Sequence, residues 1–242
     1  MAIREFDNCI CFLDTETVPA EDKFFFNFTE PIPTIESVPE HGSMKDPVKI
    51  EEWKQIKLIS LIDDWKNAKQ KASDDAERAW RQESLESFKG KIIVLCYAKN
   101  DGEVIKLDSS KGEKEMLIEF QEDIKRYKTI NFVGHNLAFD LKFIAHRAIH
   151  YRLMELVNII RLDKGWTKNR DFCTQEMAFF GLEWKGKISL HNLCKLLGVP
   201  TSKDDIDGSQ VLDAYLRGEI ERIKTYCAKD VDRCRKCFYI LK

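Results

Sequence analysis

The chain has 242 residues, of which 43% are hydrophobic and 33% are charged, and its formal net charge is −2. This length suits one large domain, and the near-zero net charge excludes a histone-like protein that binds nucleic acid by charge alone. We find no apolar run of membrane-spanning length and no secretory signal, and the eight cysteines lie mostly in apolar segments. These features predict a cytoplasmic protein with reduced, buried thiols and no membrane partner.

The first predicted strand, residues 8–14, ends in two acids. Asp14 and Glu16 stand one residue apart, directly after a continuous apolar stretch. Because side chains alternate along a strand, both carboxylates are predicted to project from one face. Buried like charges repel each other, and a divalent cation is the usual compensation. An ordinary strand that ends in solvated acids is the alternative.

Residues 18–89 are predicted to form an insertion between the first and second strands. The first part, 18–45, is irregular and contains the aromatic stretch KFFFNF. The second part predicts two helices, one capped by Asp46 and one capped by Ser73.

The remainder of the chain alternates between strand and helix patterns. The predicted elements are a hairpin (91–108), a helix (112–127), a strand (129–136), a helix (138–149), a short strand leading into a helix (170–180), a helix (189–200) and a C-terminal helix (218–241). This order predicts an α/β fold, with a mixed sheet flanked by helices in a single domain over residues 1–242.

Two further acids stand out by their position. Asp140 lies early in a helix that follows a buried strand, between apolar neighbours, where an unpaired charge is costly. A carboxylate stabilised by the helix N-terminus is the alternative. Tyr226 and Asp230 are four residues apart in the C-terminal helix and therefore share one face, where they could jointly hold a water molecule.

The three acidic motifs occur in a characteristic order: Asp-x-Glu on a strand, Asn-x-x-Phe-Asp after a later strand, and Tyr-x-x-x-Asp on a final helix. Together they resemble the DEDDy exonucleases, which have a ribonuclease-H-like fold. The stretches SLHNLCKLLGVP and DDIDGSQV are similar to predicted exonucleases related to the proofreading domain of family-B DNA polymerases. The sister DEDDh group has His where this chain has Thr225, so Tyr226 assigns the DEDDy type.

The resemblance implies two-metal-ion hydrolysis with two Mg²⁺ ions, for which Mn²⁺ is expected to substitute. It implies that Asp14 bridges both ions, that Glu16 and Asp230 complete the ion that activates water, and that Asp140 serves the second ion through waters. Tyr226 would orient the attacking water by a hydrogen bond, because an ordinary tyrosine pKa near 10 makes a poor base at neutral pH.

A second set of residues is implied to contact substrate. These residues are Leu13, Thr15, Asn136, Phe139, Lys203, Ser209 and Gln210. Core packing is an open alternative for Leu13 and Phe139, and a structural role is the favoured interpretation of His135. Cys234 and Cys237 form a C-x-x-C, and Cys227 lies seven residues before it. Helical core packing is favoured over a zinc site, since no nearby His or Cys supplies a fourth ligand.

The predicted function is a 3′–5′ exonuclease that acts on single-stranded nucleic acid, with DNA favoured over RNA by the resemblance. Replication or repair proteins are candidate partners. An exoribonuclease with the same chemistry and a non-catalytic nucleic-acid-binding module with this fold are the alternatives. Residues 142–170 carry a local net charge of +5 and are a candidate track for phosphates, or simply a solvated face. Phe24, Phe25, Phe26 and Phe28 could stack on bases, or could pin the irregular segment to the core.

Overall fold

A computed structural model describes residues 6–21, 24–160, 171–179, 187–201 and 206–242. The strands are β1 (Phe6–Pro19), β2 (Gly90–Lys99), β3 (Ile105–Asp108), β4 (Tyr127–Gly134) and β5 (Phe172–Cys173). The helices are α1 (Pro47–Gln82), α2 (Glu113–Ile124), α3 (Leu137–His150), α4 (Met154–Ile160), α5 (Thr174–Met177), α6 (Leu190–Leu197), α7 (Val211–Leu216) and α8 (Ile220–Leu241). Neither α4 nor α7 is predicted from the sequence.

The five strands form one mixed sheet in the order β3-β2-β1-β4-β5. β2 is antiparallel to both β1 and β3, whereas β1, β4 and β5 run parallel. The sheet is flanked by helices, so the predicted α/β architecture of ribonuclease-H-like type is confirmed.

The hydrophobic core lies on both faces of the sheet. On one face, alternate β1 residues such as Cys9, Cys11 and Leu13 pack with the apolar sides of α2 and α3. On the other face, Phe12 meets Phe238 of α8 with ring centroids 5.5 Å apart. The period of two along β1 therefore directs odd-numbered residues towards α2 and α3, and even-numbered residues towards α8. All eight cysteines lie within the described residues, and all are free.

β1 is longer than the predicted strand of residues 8–14. It continues through the two acids to Pro19, which pairs with Gly90 of β2, and a bulge shifts the register between Glu16 and Thr17. The first charged residues predict the end of this strand, because acids at the end of an apolar run are typical of a strand terminus. The backbone instead keeps its ladder partners on β2 while the carboxylates project from the sheet.

The chain divides into two compact units, one formed by residues 1–22 with 83–242 and the other by Lys23–Gln82. The second unit contains α1, a single helix of 36 residues. The prediction of two helices, with Ser73 as a cap, is therefore wrong. Asp46 does accept a hydrogen bond from the Val48 amide, at 3.0 Å, as expected of a residue before the first turn.

Three of the predicted stacking rings pack inside the second unit. Phe24 and Phe26 are stacked 6.4 Å apart, and Phe24 and Phe28 contact Trp80 and Trp65 of α1 at 6.0 and 5.7 Å. These contacts support the alternative that the rings pin the irregular segment to its own helix. Phe25 is different, because 80% of its surface is exposed. Among the described helices, none is both long enough and apolar enough to cross a membrane.

Candidate active site

The even-numbered face of β1 presents Asp14 and Glu16 towards α8. Asp14 lies opposite Cys96 and Glu16 opposite Val94 in the register with β2. Only 8% of the Glu16 surface is exposed. The strand period explains why the two carboxylates share a face, as the sequence predicts.

Thr15, between the two acids, fixes Asp140 at the start of α3. Oδ1 of Asp140 accepts hydrogen bonds from the Thr15 amide at 3.0 Å and from the Thr15 hydroxyl at 2.7 Å. Asn136, in the left-handed region with φ 62°, turns the chain from β4 into α3 and so places Asp140 in the first turn. Both Thr15 and Asp140 are buried. Substrate contact by Thr15 or Asn136 stays a prediction.

Helix α8, which faces the even-numbered side chains of β1, supplies the remaining predicted catalytic residues, Tyr226 and Asp230. The Tyr226 hydroxyl hydrogen-bonds to the Asp230 carboxylate, and Arg233 Nη1 donates to Asp230 Oδ1 at 3.0 Å. Asp230 is therefore held by two groups on its own helix. The Cys227 thiol, one residue after Tyr226, lies 3.3 Å from the Asp14 carbonyl oxygen and donates to it.

The acids of the site repel one another in a desolvated environment. Burial raises the pKa of Asp14 well above its ordinary value, and the charges of Asp140, Glu16 and Asp230 raise it further. Burial and the charges of Asp230 and Asp140 likewise raise the pKa of Glu16. Burial raises the pKa of Asp140 to about 7, against the lowering effect of the Thr15 hydrogen bonds. The mutual effects mean that all four acids lie close enough to interact.

The pKa of Tyr226 is raised, chiefly by burial and then by the charge of Asp230. The phenol therefore keeps its proton across the physiological range and acts as a donor. Among the described residues, no cationic side chain pairs with Asp14 or Glu16.

The donor set fits a divalent cation. One ligand atom from each of Asp14, Glu16 and Cys227 lies within 4.8 Å of the other two. Asp140 and Asp230 lie outside this tight group, although their charges act on it. Asp14 is half-buried and Glu16 is buried. Carboxylates that repel each other in such a site, without a cationic partner, are stabilised by a bound cation, which supplies the missing positive charge.

The sequence predicts Cys227 as a buried thiol of the helix core but does not place it beside the acids, where the structure has it. Helix spacing gives only a partial signal: Cys227 precedes Asp230 by three and so shares a face with it, but this spacing does not show that the thiol meets Asp14. Burial raises the pKa of the Cys227 thiol well above its ordinary value, which favours the protonated thiol.

The remaining predicted contacts are placed as follows. Leu13 is fully buried in the core, which agrees with the alternative that it is a packing residue. Phe139 is partly buried and packs against the same cluster. His135 bridges the Thr174 hydroxyl and the Ile188 carbonyl at 3.0 and 2.9 Å, and these contacts support a structural role.

The motif at Asp207 forms a local cap before α7. Ser209 donates its amide and hydroxyl to the Asp207 carboxylate, and the Gln210 side chain accepts the Asp207 amide at 3.0 Å. These side chains are exposed, and their contact with substrate stays a prediction. Lys203 lies outside the described residues.

The predicted phosphate track is only partly described. Within it, Arg147 is buried and forms an ion pair with Glu113, with Nη2 and Oε2 2.7 Å apart. Its guanidinium is directed to a buried carboxylate at the start of α2, so it does not belong to an exposed basic face. Lys142 and Arg152 are exposed.

Residues 85–234 match the model of a family described as a predicted 3′–5′ exonuclease related to the exonuclease domain of PolB. The chain belongs to this family. The match covers Asp140, Tyr226 and Asp230, whereas Asp14 and Glu16 precede it. An uncharacterized protein of Methanocaldococcus jannaschii is similar to this chain, with 23% identity over 164 residues that cover 65% of the chain and 89% of the relative. No solved structure matches the chain significantly.

Proposed function

We propose that the protein is a metal-dependent 3′–5′ exonuclease, which removes nucleotides from the 3′ ends of single-stranded DNA by two-metal-ion hydrolysis. The observation that carries the proposal is the pair of carboxylates on β1. Asp14 and Glu16 are desolvated and close together, and no cationic side chain of the described chain pairs with them. Membership of a predicted exonuclease family supports the reaction class.

The acids supply oxygen donors, which Mg²⁺ prefers, and Mn²⁺ is expected to substitute. When bound, two such ions would stabilise the negative charge that builds on the attacking and leaving oxygens. Thr15 occupies Oδ1 of Asp140, so Oδ2 is the oxygen available to a cation or to its hydration water. This division of the two oxygens suits an indirect contact by Asp140 and direct contacts by Asp14 and Glu16.

Tyr226 positions water in this proposal. Its raised pKa keeps the hydroxyl protonated, and the hydroxyl donates to Asp230. A water that enters between the two side chains would take over that hydrogen bond and be oriented by it. Arg233 holds the Asp230 carboxylate on the other side, at 3.0 Å, and so limits its rotation.

DNA is the favoured substrate because the family is related to a polymerase exonuclease domain. An exoribonuclease would use the same acids, since discrimination rests on contacts with the 2′-hydroxyl. A non-catalytic binding module is the weaker alternative, because the four acids and Tyr226 are all present. Replication or repair partners and a cytoplasmic location remain predictions.

The test is cleavage of 5′-labelled single-stranded DNA and RNA of the same sequence, in Mg²⁺, Mn²⁺ or chelator. We expect the labelled DNA to be shortened from its 3′ end into a ladder of products, at a higher rate than the RNA. We expect no cleavage in chelator. A 3′-blocked oligonucleotide should resist cleavage. Asp14→Asn should lose activity, whereas the exposed Asp75→Asn should keep it. Wild-type activity in chelator, or an unaffected Asp14→Asn variant, would contradict the proposed site.

A further inference from the structure

Cys227 adds a sulfur ligand to a site otherwise made of oxygen. The residue is fully buried on α8, and its thiol donates to the Asp14 carbonyl at 3.3 Å. Its Sγ atom, one carboxylate oxygen of Asp14 and one of Glu16 lie within 4.8 Å of one another. A two-Mg²⁺ reaction needs only the oxygens, because Mg²⁺ has little affinity for sulfur.

Glu16 independently indicates that a cation belongs in this cluster. Its surface is 8% exposed, and within the described part of the chain its carboxylate makes neither a hydrogen bond nor an ion pair. Burial without a cationic partner is costly for an ionised carboxylate, and a bound cation would offset that cost. One oxygen of the same carboxylate lies within 4.8 Å of the Cys227 sulfur, a separation that two ligands of one cation can have.

We propose that Asp14, Glu16 and Cys227 bind one thiophilic divalent cation, of the Zn²⁺ or Cd²⁺ class, in a mode distinct from Mg²⁺ binding. On binding, the thiol releases its proton to solvent and a sulfur–metal bond forms, with no change of oxidation state. The inference that this cation inhibits the enzyme rests on the proposed nuclease function. The inference that it binds through sulfur does not.

The ligand set favours such a cation on physical grounds. Zn²⁺ takes four ligands, with bonds of about 2.3 Å to thiolate sulfur and about 2.0–2.2 Å to carboxylate oxygen. Two carboxylates and one thiolate supply three of them and leave one position for water. Mg²⁺ requires near-octahedral oxygen coordination, which this sulfur cannot complete. A cation drawn towards Cys227 would therefore occupy Asp14 and Glu16 and exclude Mg²⁺ from them.

Titration of the metal-free protein with Cd²⁺ tests the binding mode, with sulfur-to-cadmium charge-transfer absorption and calorimetry as readouts. We expect a band in the wild type that Cys227→Ser removes. Glu16→Gln keeps every thiol and should weaken binding at this site by about 10-fold or more. The matched control is Cys194→Ser. Cys194 contacts Cys237, 3.5 Å away, and Cys237 lies ten residues, about 15 Å, along α8 from Cys227. This variant should keep the Cys227-dependent band.

An unchanged band in Cys227→Ser, or wild-type affinity in Glu16→Gln, would overturn the proposal. Circular dichroism checks that each variant folds, and Cys227→Ala replaces the serine variant if that one does not. In a separate experiment, Cd²⁺ should inhibit Mg²⁺-supported cleavage. For each protein, the inhibitory concentration is the Cd²⁺ concentration that halves its own uninhibited rate, and Cys227→Ser should raise it about 10-fold. Equal inhibition of both proteins would refute the inhibitory role. If the protein cleaved no substrate, the spectroscopic arm would still decide whether sulfur binds the cation.

Discussion

Asp140→Asn should stabilise the metal-free protein while it removes activity. Burial raises the pKa of Asp140 from 3.8 to about 7. Because one pH unit of pKa corresponds to about 1.36 kcal/mol, ionised Asp140 lowers the free energy of unfolding by on the order of 4 kcal/mol at high pH. Asparagine carries no charge, and its amide oxygen can still accept both Thr15 hydrogen bonds. For a chain of this length, we expect a rise in Tm of about 10 °C near pH 8.

The rise in Tm caused by Asp140→Asn should depend on pH. A carboxyl whose pKa is raised in the folded state is destabilising above that pKa and neutral below its unfolded pKa. The advantage of Asp140→Asn should therefore be absent near pH 4, grow towards pH 7 and be constant above it. Thermal unfolding in chelator across this range measures it, with Asp75→Asn, an exposed acid beside Arg78, as the control. A lower Tm at pH 8, or an equal gain at pH 4 and pH 8, would refute the reasoning.

Four other changes have defined outcomes. Mg²⁺ at about 100 times its Kd should add about 2.7 kcal/mol to the stability of the metal-free protein in calorimetry; no shift would argue against a metal site. Tyr226→Phe should slow cleavage about 10–10³-fold and leave DNA affinity unchanged, and a fully active variant would remove the hydroxyl from the mechanism. Arg147→Ala should lower the free energy of unfolding, measured with denaturant, by about 3–5 kcal/mol because Glu113 is left buried and unpaired. DNA affinity per folded molecule should not change. Weaker DNA binding would show that Arg147 does contact phosphates. Phe28→Ala should lower Tm because Phe28 packs against Trp65, whereas Phe25→Ala should lower the affinity for single-stranded DNA at constant Tm because Phe25 is exposed. The opposite pair of results would make Phe25 the packing residue and Phe28 the DNA-binding one.

Regular periodicity made most of the fold predictable. The apolar runs on either side of the Asn-Asp-Gly turn, and the helical spacing in α2 and α8, predicted elements that match the structure within a few residues. The error at α1 has a local cause. Serine followed by acids at residue 73 is typical of a helix start, but inside a helix it is tolerated when neighbours pair, as Gln70 does with Asp74 at 2.8 Å.

The candidate site was predictable where charge conflicts with its surroundings. Asp14, Glu16 and Asp140 stand out because an acid in an apolar stretch requires compensation, and the structure brings them within mutual electrostatic reach. The contacts of Thr15 with Asp140 and of Cys227 with Asp14 were not predictable. Both side chains suit a buried environment, and neither conflicts with its neighbours in sequence. Their contacts with Asp140 and Asp14 arise from the packing of α3 and α8 on β1, which periodicity does not encode.

The family match lies after the insertion, whereas the sheet is built from strands on both sides of it. The family match begins at residue 85, after the first two acids and after Lys23–Gln82. Yet β1 is the central strand, with β2 on one side and β4 on the other. Without β1, these two strands would lose their common hydrogen-bonding partner, and Asp140 would lose both donors from Thr15. The segment outside the match is therefore required by the segment inside it, for the sheet and for the site alike.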